Sequence, residues 1–500
     1  MVQFAAPQDD ILFSLIHVAD AASSPDWDEV TARDVLGHFA GFAEAVIAPL
    51  NAVGDKQGAK LTDGRVMMPV GFADAYRHLA EGGWQGLTGP ETWDGMGLSP
   101  LISAAVSEVF SGANHAMQMV CNLVPGAIAT LLRFGTAAQQ STWIPKLVSG
   151  KSLSTMCITE PAAGSDLSAI RCKAIKTDDG WQLAGEKIFI SGGDQNMSDE
   201  IMHLVLARSG DAGIGGLSLY LCANQDAVRV TRIEEKLGLH ASPTCHMVFN
   251  HADAELLGVE GQGLAAMFTL MNHARVDVAL QGVAHAARAS HIAESYAQER
   301  FQGRGPNGLP AHLIDHADVR RMLDEQAMLT FGTRAMCHVT LVEIAKGAGP
   351  DLIDFLTPLC KIAGSQAGIR AADLGIQILG GYGYLNEYQI CQVWRDARIT
   401  AIYEGTNGIH SRTIATRGLR ADTTGFEALV TRLGGGADLS NWRNLRDTTK
   451  TDPPRYAYAF AQATIKLFFD AVWARIVAQA DHHTNPAEVR RLHADNQIAW

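Results

Sequence analysis

Glu404 stands in Ile402-Tyr403-Glu404-Gly405-Thr406-Asn407-Gly408, after a short apolar run and before a glycine-containing turn. A carboxylate held between apolar residues and a turn can have a raised pKa and act as a general base. A glutamate beside glycine is also a common solvated loop residue, so the run alone leaves both readings open. Two further runs invite the same question. In Cys157-Ile158-Thr159-Glu160-Pro161-Ala162-Ala163-Gly164-Ser165-Asp166, a strand-like stretch stops at proline, and small residues let the backbone approach a ligand closely. Amides and hydroxyls there suit a phosphate or the polar edge of a flat ring; an ordinary strand-to-turn junction has the same composition. Lys187-Ile188-Phe189-Ile190-Ser191-Gly192-Gly193 ends a strand with an aromatic, a short polar residue and two glycines. It could set a ring against a cofactor with a hydroxyl beside it, or be a plain turn.

Other chemistries lack their residues. Val148-Ser149-Gly150-Lys151-Ser152 ends like a phosphate-binding P-loop, but Pro145 stands where that loop needs glycine. No glycine fingerprint follows a strand in a βαβ context, and no nucleophile elbow is present. His312 and His316 are four apart and could share a helix face, yet a zincin needs Glu at the position of Leu313. No metal site is expected.

The elements that must position these runs change character along the chain. Up to about 152 the apolar residues recur at helical spacing, as in Ile11 to Ala21 and Ala32 to Leu50, and 101–134 reads as two buried helices broken near Pro125. From 153 to 260 the period becomes strand-like, with runs at Leu153–Thr159, Trp181–Ile190, Met202–Ala207, Leu217–Cys222 and Met247–Phe249. Helical spacing returns at 261, with a long helix to about Arg300 and others near 312–347, 351–379 and 386–396. A tail from 420 to 500 holds Pro453-Pro454 and one or two more helices. The expected fold class is α+β, mostly α. It has a helical N-terminal domain (1–152), a middle β-barrel or sandwich domain (153–260), a helical C-terminal domain carrying Glu404 (261–419) and a helical extension (420–500).

Composition narrows the partners. The 500 residues carry a formal net charge of −13, and an acidic surface does not attract nucleic acid or anionic membranes. An anionic substrate would then need a local basic pocket. The most membrane-like stretch, Tyr456–Ala478, is interrupted by Lys466, Asp470 and Arg475. Eight scattered cysteines without a CxxC pair read as reduced core thiols, and the N-terminus has no signal-peptide pattern, so a cytoplasmic protein is expected.

Taken together, CITEPAAGSD, KIFISGGD, QILGGYGY from Gln377 to Tyr384, Arg395-Asp396 and IYEGTN closely resemble the acyl-CoA dehydrogenase family, in its order and spacing over about residues 80 to 415. The resemblance implies a helical, β, helical architecture, FAD as cofactor, and Glu404 as catalytic base. It implies that Ile158 and Thr159 line the flavin, Phe189 lies against its ring where many relatives have Trp, and Ser191 reaches N5 where many have Thr. Arg300 and Gln302 would meet the FAD pyrophosphate of a neighbouring subunit. Gln377 and Gly381 would touch its adenosine half, and Thr406 an FAD phosphate. Ser165 and Arg275 would support CoA, and Glu404 with Gly405 the thioester. Gly408 departs from the family, where many relatives place Gln near the adenine.

The implied reaction is α,β-dehydrogenation of an acyl-CoA, with electrons passed to an electron-transfer flavoprotein. Cofactor contacts across an interface imply a homodimer or homotetramer. The Asp9–Phe13 segment, the form of the Arg300 motif and EGTNGI resemble the branch of 3-methylthiopropionyl-CoA dehydrogenases, which act in dimethylsulfoniopropionate breakdown. A short- or medium-chain fatty acyl-CoA dehydrogenase is the neighbouring reading. A non-catalytic flavoprotein or scaffold is the alternative from another class; it would have no need of a carboxylate at 404.

Overall fold

The computed structural model describes residues 2–305, 308–434 and 439–494, and the side chains of all of these except 268–274. It is 61% helical, with helices before and after a middle sheet, so the mostly-α class expected from the sequence holds. The described chain divides into two compact units that do not follow chain order. A helical unit takes Met1–Glu44, Pro100–Ala113 and Arg275–Trp500, and a sheet unit takes Ala45–Ser99 and Asn114–Ala274.

The sheet unit opens with a hairpin, β1 (Lys60–Thr62) and β2 (Arg65–Met67). Asp63 and Gly64 both have positive φ at its tip, the primed-turn geometry that matches the twist of paired strands. Seven further strands follow: β3 (Ser152–Cys157), β4 (Lys173–Thr177), β5 (Gly180–Ser191), β6 (Glu200–Arg208), β7 (Leu217–Ala223), β8 (Val228–Ile233) and β9 (Thr244–Leu257). Strands β6, β4, β5, β9 and β7 form a circuit that the β6–β7 pairing closes. Strand β3 adds to β6 in parallel, and β8 adds to β9. The β6–β7 pairing joins the ends of the circuit, while β3 and β8, each with one partner among the described pairings, form its remaining edges. Inside lie Cys157, Leu183, Val205, Tyr220, Met247 and Phe249. The central β6 is buried along nearly its whole length, which is why its sequence reads as an uninterrupted apolar run. Strands β4 and β8 were not expected. Each turns Lys or Arg outward and buries one core residue, Ala174 or Val230, so neither presents an apolar run.

In the helical unit the long helices are Ala317–Ala345, Pro350–Leu379 and the part of Gly263–Glu299 that follows residue 274. Gly263–Glu299 and Pro350–Leu379 approach each other almost backbone to backbone. A Cβ on Gly282 would lie 2.1 Å from the Gly364 carbonyl oxygen, and one on Gly364 would lie 2.3 Å from that of Ala279. The tail is part of this bundle. Its helix Pro453–Ala478 packs on Ala317–Ala345 and on the short helix Asn407–Thr413. Phe469 and Trp473 fill the space over Gly332, and Arg491 grips Asp324 through two hydrogen bonds of 2.6 and 2.7 Å.

The apolar run 101–134 forms the two helices expected, Pro100–Cys121 and Val124–Phe134, which part at 122–123 just before Pro125. That proline sits in the first turn of the second helix, where its missing N–H has no partner to lose, and Asn114 adds a kink inside the first. Other local expectations change. A second hairpin, β10 (Phe301–Arg304) with β11 (Pro310–His312), delays the next helix to Ala317. His312 therefore lies in a strand and His316 just before the helix, where its Nε2–H donates to the Gln302 carbonyl, so the two do not share a helix face. Among the described residues the helix long and apolar enough to cross a bilayer is Pro100–Phe134 rather than Tyr456–Ala478, and most of it is buried in protein.

The glycine contact carries a test. Gly364→Ala pushes a methyl into backbone that cannot move aside, and overpacking of this kind costs about 1–3 kcal/mol. Gly41, exposed in the helix Glu29–Phe42 with nothing near its Cβ position, should accept alanine with a gain of up to ~1 kcal/mol. Denaturant midpoints of the two variants should move in opposite directions.

Candidate active site

Within the sheet unit, the first two chemical runs are joined by a lysine. Lys187 is fully buried, and its Nζ donates to the Ile158 carbonyl (2.9 Å), the Leu206 carbonyl (2.7 Å) and Glu160 Oε1 (2.7 Å). All three ammonium donors are thus used. Glu160 in turn accepts from the backbone N–H groups of Arg171 (2.6 Å) and Cys172 (3.0 Å). Two residues on, strand β5 leaves its ladder with β9 between Lys187 and Ile190, and the Ile188 N–H turns to the Thr159 carbonyl instead. Phe189 at this bulge has φ +59° and is 59% exposed. A large ring on left-handed backbone at the surface is held against both its conformational and its solvation preference, which points to a role at a ligand. Ile158 is buried, Thr159 and Ser191 are half-buried, and Ser165 is exposed in the turn beyond. The Ile188 and Lys187 hydrogen bonds thus set Phe189 beside Ile158 and Thr159 at one corner, with Ser191 two residues further along β5.

Within the helical unit the structure builds a second constellation on Glu404. Glu404 and Gly405 both have positive φ, +53° and +93°. A non-glycine residue held there costs of order 1–3 kcal/mol and needs its surroundings to impose it. Those surroundings are specific. From Pro350–Leu379, the fully buried Lys361 donates to the Gly405 carbonyl (2.6 Å) and to Asn407 Oδ1 (3.1 Å), and Ser365 exchanges hydrogen bonds with the Asn407 amide. His410 holds Nε2 3.0 Å from the Glu404 carbonyl. A carbonyl can only accept, so that nitrogen carries the proton, and burial keeps the ring neutral by lowering its pKa to about 3. The His410 ring also lies 2.8 Å from where a Cβ on Gly405 would sit, so residue 405 must be glycine on two counts. Tyr403 donates its hydroxyl to Gln281 Oε1, and Gln281 donates to Asp277 Oδ2 (2.8 Å), which ties the turn to the Gly263–Glu299 helix.

The electrostatics follow from this packing. Burial lifts the Glu404 carboxyl to about 7, with Arg275 and then Lys361 pulling the other way. Burial likewise brings Lys361 down to about 7, opposed by Glu404. The half-buried Arg275 is lowered by burial and held charged by Glu404 and Asp354. A half-buried carboxyl that gains and loses a proton near neutrality, beside two cations, is suited to general-base work.

The other expected residues lie elsewhere in the helical unit or on this turn. Thr406 is exposed, and its Oγ1 accepts from the Ile409 N–H at 3.2 Å, capping Asn407–Thr413; its own hydroxyl proton remains to be donated. Arg300 is exposed with its guanidinium 5.7 Å from the centre of the Tyr382 ring. That brings it beside the exposed Gly381, at the end of the helix that carries Gln377, while Gln302 sits exposed on β10. Sequence reasoning assigned no role to Lys361, Ser365, Asn407, His410 or the Glu160–Lys187 pair. A signal was present at Lys361, a lone lysine in the apolar helical run from Phe355 to Ala363.

Residues 31–151, 155–252 and 261–419 match the family profiles described as the N-terminal, middle and C-terminal domains of acyl-CoA dehydrogenase. The chain is 38% identical to 3-methylmercaptopropionyl-CoA dehydrogenase of Ruegeria pomeroyi over 451 residues, 84% of this chain and 77% of that protein. Butyryl-CoA dehydrogenase from Megasphaera elsdenii superposes with a TM-score of 0.67 at 26% identity, covering 76% of this chain and 95% of that one. Caenorhabditis elegans ACDH-11 in complex with C11-CoA reaches a TM-score of 0.82 at 18% identity, covering 100% of this chain and 93% of its own, a likeness of fold that extends through the tail.

The buried lysine of the sheet unit makes a sharp prediction. Lys187→Met leaves Glu160 charged and without its cation in the interior, which should cost about 3–5 kcal/mol. The double variant Lys187→Met with Glu160→Leu should be milder than the single one, as read from urea midpoints.

Proposed function

Because the chain belongs to the acyl-CoA dehydrogenase family, FAD-dependent oxidoreductases acting on the CH–CH bond of acyl-CoA thioesters, we propose that it dehydrogenates a short acyl-CoA between Cα and Cβ. The substrate we assign is 3-methylthiopropionyl-CoA, giving 3-methylthioacryloyl-CoA, a step of dimethylsulfoniopropionate breakdown. The observation that carries the reading is the Glu404 carboxyl, poised near neutrality in a rigid left-handed turn. The likeness to the Ruegeria pomeroyi protein, whose methylmercapto group is the same methylthio group, supports the choice of acyl chain.

In this reading Glu404 takes the α-proton. Its backbone amide binds the thioester carbonyl, so that charge developing on that oxygen during proton removal meets a fixed donor. Arg275 serves the CoA moiety and Gly405 lets the thioester approach the turn. Bound FAD would accept the β-hydrogen as hydride at N5. The residues present fit such a group. The exposed Phe189 ring offers a wall for a flat heterocycle, Ser191 on the same strand offers a hydroxyl, and Ile158 and Thr159 border that corner. Arg300, Gln302, Gln377, Gly381 and Thr406 are assigned to its phosphates and adenosine. The first four serve the cofactor of a second copy in a homodimer or homotetramer. Ser165 is assigned to the phosphopantetheine or pyrophosphate of CoA, an electron-transfer flavoprotein to reoxidation, and the cytoplasm to the site of action.

Anaerobic titration of the flavin-loaded protein with 3-methylthiopropionyl-, butyryl- and octanoyl-CoA tests the reading. The flavin bands should bleach for wild type, most efficiently with the methylthio substrate, and should bleach at least ~10²-fold more slowly in Glu404→Gln, the usual worth of a general base. Equal bleaching by the variant would remove Glu404 from its role; preference for butyryl- or octanoyl-CoA would move the enzyme to straight-chain substrates. The pH dependence has a definite sign. A base must be ionised before it can accept a proton, so kcat/KM should be low in acid and rise to a plateau, with its midpoint near the Glu404 value of about 7. A midpoint at an ordinary carboxylate value would contradict the burial argument.

A further inference from the structure

Lys361 has no part in the reaction as described, yet it is a fully buried ammonium directed at the base-bearing turn. Burying an ammonium is costly unless its N–H groups find acceptors. Here the acceptors are the Gly405 carbonyl at 2.6 Å and Asn407 Oδ1 at 3.1 Å, one and three residues beyond Glu404. Asn407 is fixed from its other side by Ser365, one turn along the same helix as Lys361. That helix is locked against Gly263–Glu299 through Gly282, Gly364 and Gly368, so Lys361 reaches the turn from a platform with little freedom. We propose that Lys361 is a positioning residue for the base, pinning the Glu404–Asn407 turn through Gly405 and Asn407 and supplying a cation beside the carboxylate. The inference rests on the reading of Glu404 as base and deepens it.

The charged and titratable groups around Glu404 come from several elements. Arg275 lies on Gly263–Glu299, with Asp354 and Arg417 acting on it; Lys361 lies on Pro350–Leu379; Tyr403 precedes the turn, and His410 follows it on Asn407–Thr413. His410 is neutral, so Arg275 and Lys361 are the cations that favour an ionised Glu404. Replacing Lys361 by an apolar residue of similar length removes one of them and both hydrogen bonds. Two consequences follow that loss of stability alone would not produce. The carboxylate is displaced from the α-carbon, and its proton is held to higher pH.

The experiment uses flavin-loaded wild type, Lys361→Met and Asn407→Ala. The rate constant of flavin reduction in a single turnover is measured across pH, with acyl-CoA affinity measured separately. Misplacement of a reacting group by about 1 Å is worth ~10²-fold. Lys361→Met should therefore slow reduction by roughly 10- to 100-fold at saturating acyl-CoA, with little change in affinity, and its acid limb should move to higher pH. Asn407→Ala should slow the same step less, and it decides the question if Lys361→Met does not fold. The proposal is overturned if wild type is reduced by acyl-CoA while the variants match its rate and its limb, or lose only affinity. If wild type is reduced by none of the acyl-CoA substrates, the reading of Glu404 fails, and the role of Lys361 falls with it.

Discussion

A buried ammonium group has to place its N–H donors, because no water is there to take them. Among the described residues the condition arises twice, once in each unit, and both times a chemical motif supplies acceptors. Lys187 takes the Ile158 carbonyl and Glu160, and Lys361 takes the Gly405 carbonyl and Asn407. The desolvation penalty becomes a geometric restraint, since any movement of the motif strands a charge. A hydrophobic contact tolerates small slippage, whereas a hydrogen bond to a buried cation does not.

That restraint explains how strained backbone persists where it is needed. Phe189, Glu404 and Gly405 all lie in the left-handed region, two of them without glycine's freedom. The bulge at Phe189 follows immediately after Lys187, and the turn at Glu404 and Gly405 sits directly on Lys361. The helical unit adds a second layer. The Gly282–Gly364 contact fixes one helix relative to the other, so the cations Arg275 and Lys361, carried one on each helix, act on Glu404 from set positions. The tail helix Pro453–Ala478 braces Asn407–Thr413, the helix that continues from the turn. Residues far beyond the last family-like motif thereby contribute to holding the Glu404 turn.

The electrostatic outcome is a compromise between burial and charge. Burial alone would raise the Glu404 pKa further and leave little of it ionised near neutrality; two cations without that burial would lower it. Partial burial beside Arg275 and Lys361 leaves it near neutrality. Lys361 is brought to the same range by the same burial, with the charge of Glu404 opposing that shift.

Sequence alone determined a good deal of this. The helix, sheet, helix order is legible because each period reports which face of an element is buried. Glu404 stood out because its neighbours supply an apolar approach and a glycine turn, and five spaced motifs narrowed the family. Where outward charge hid the pattern, as in strands β4 and β8, the sequence was silent. Tertiary structure alone decided what surrounds each motif. Lys361 is 43 positions from Glu404 in the chain, and nothing local says that its ammonium reaches the carbonyl of Gly405. The conversion of Glu160 and Lys187 into one buried pair, the near contact of Gly282 with Gly364, and the neutral His410 under the turn are likewise set by packing between distant segments. The physical reason is the same in each case. Periodicity records whether a side chain faces inward, while pKa, strain and hydrogen-bond partner depend on which other inward-facing group it meets.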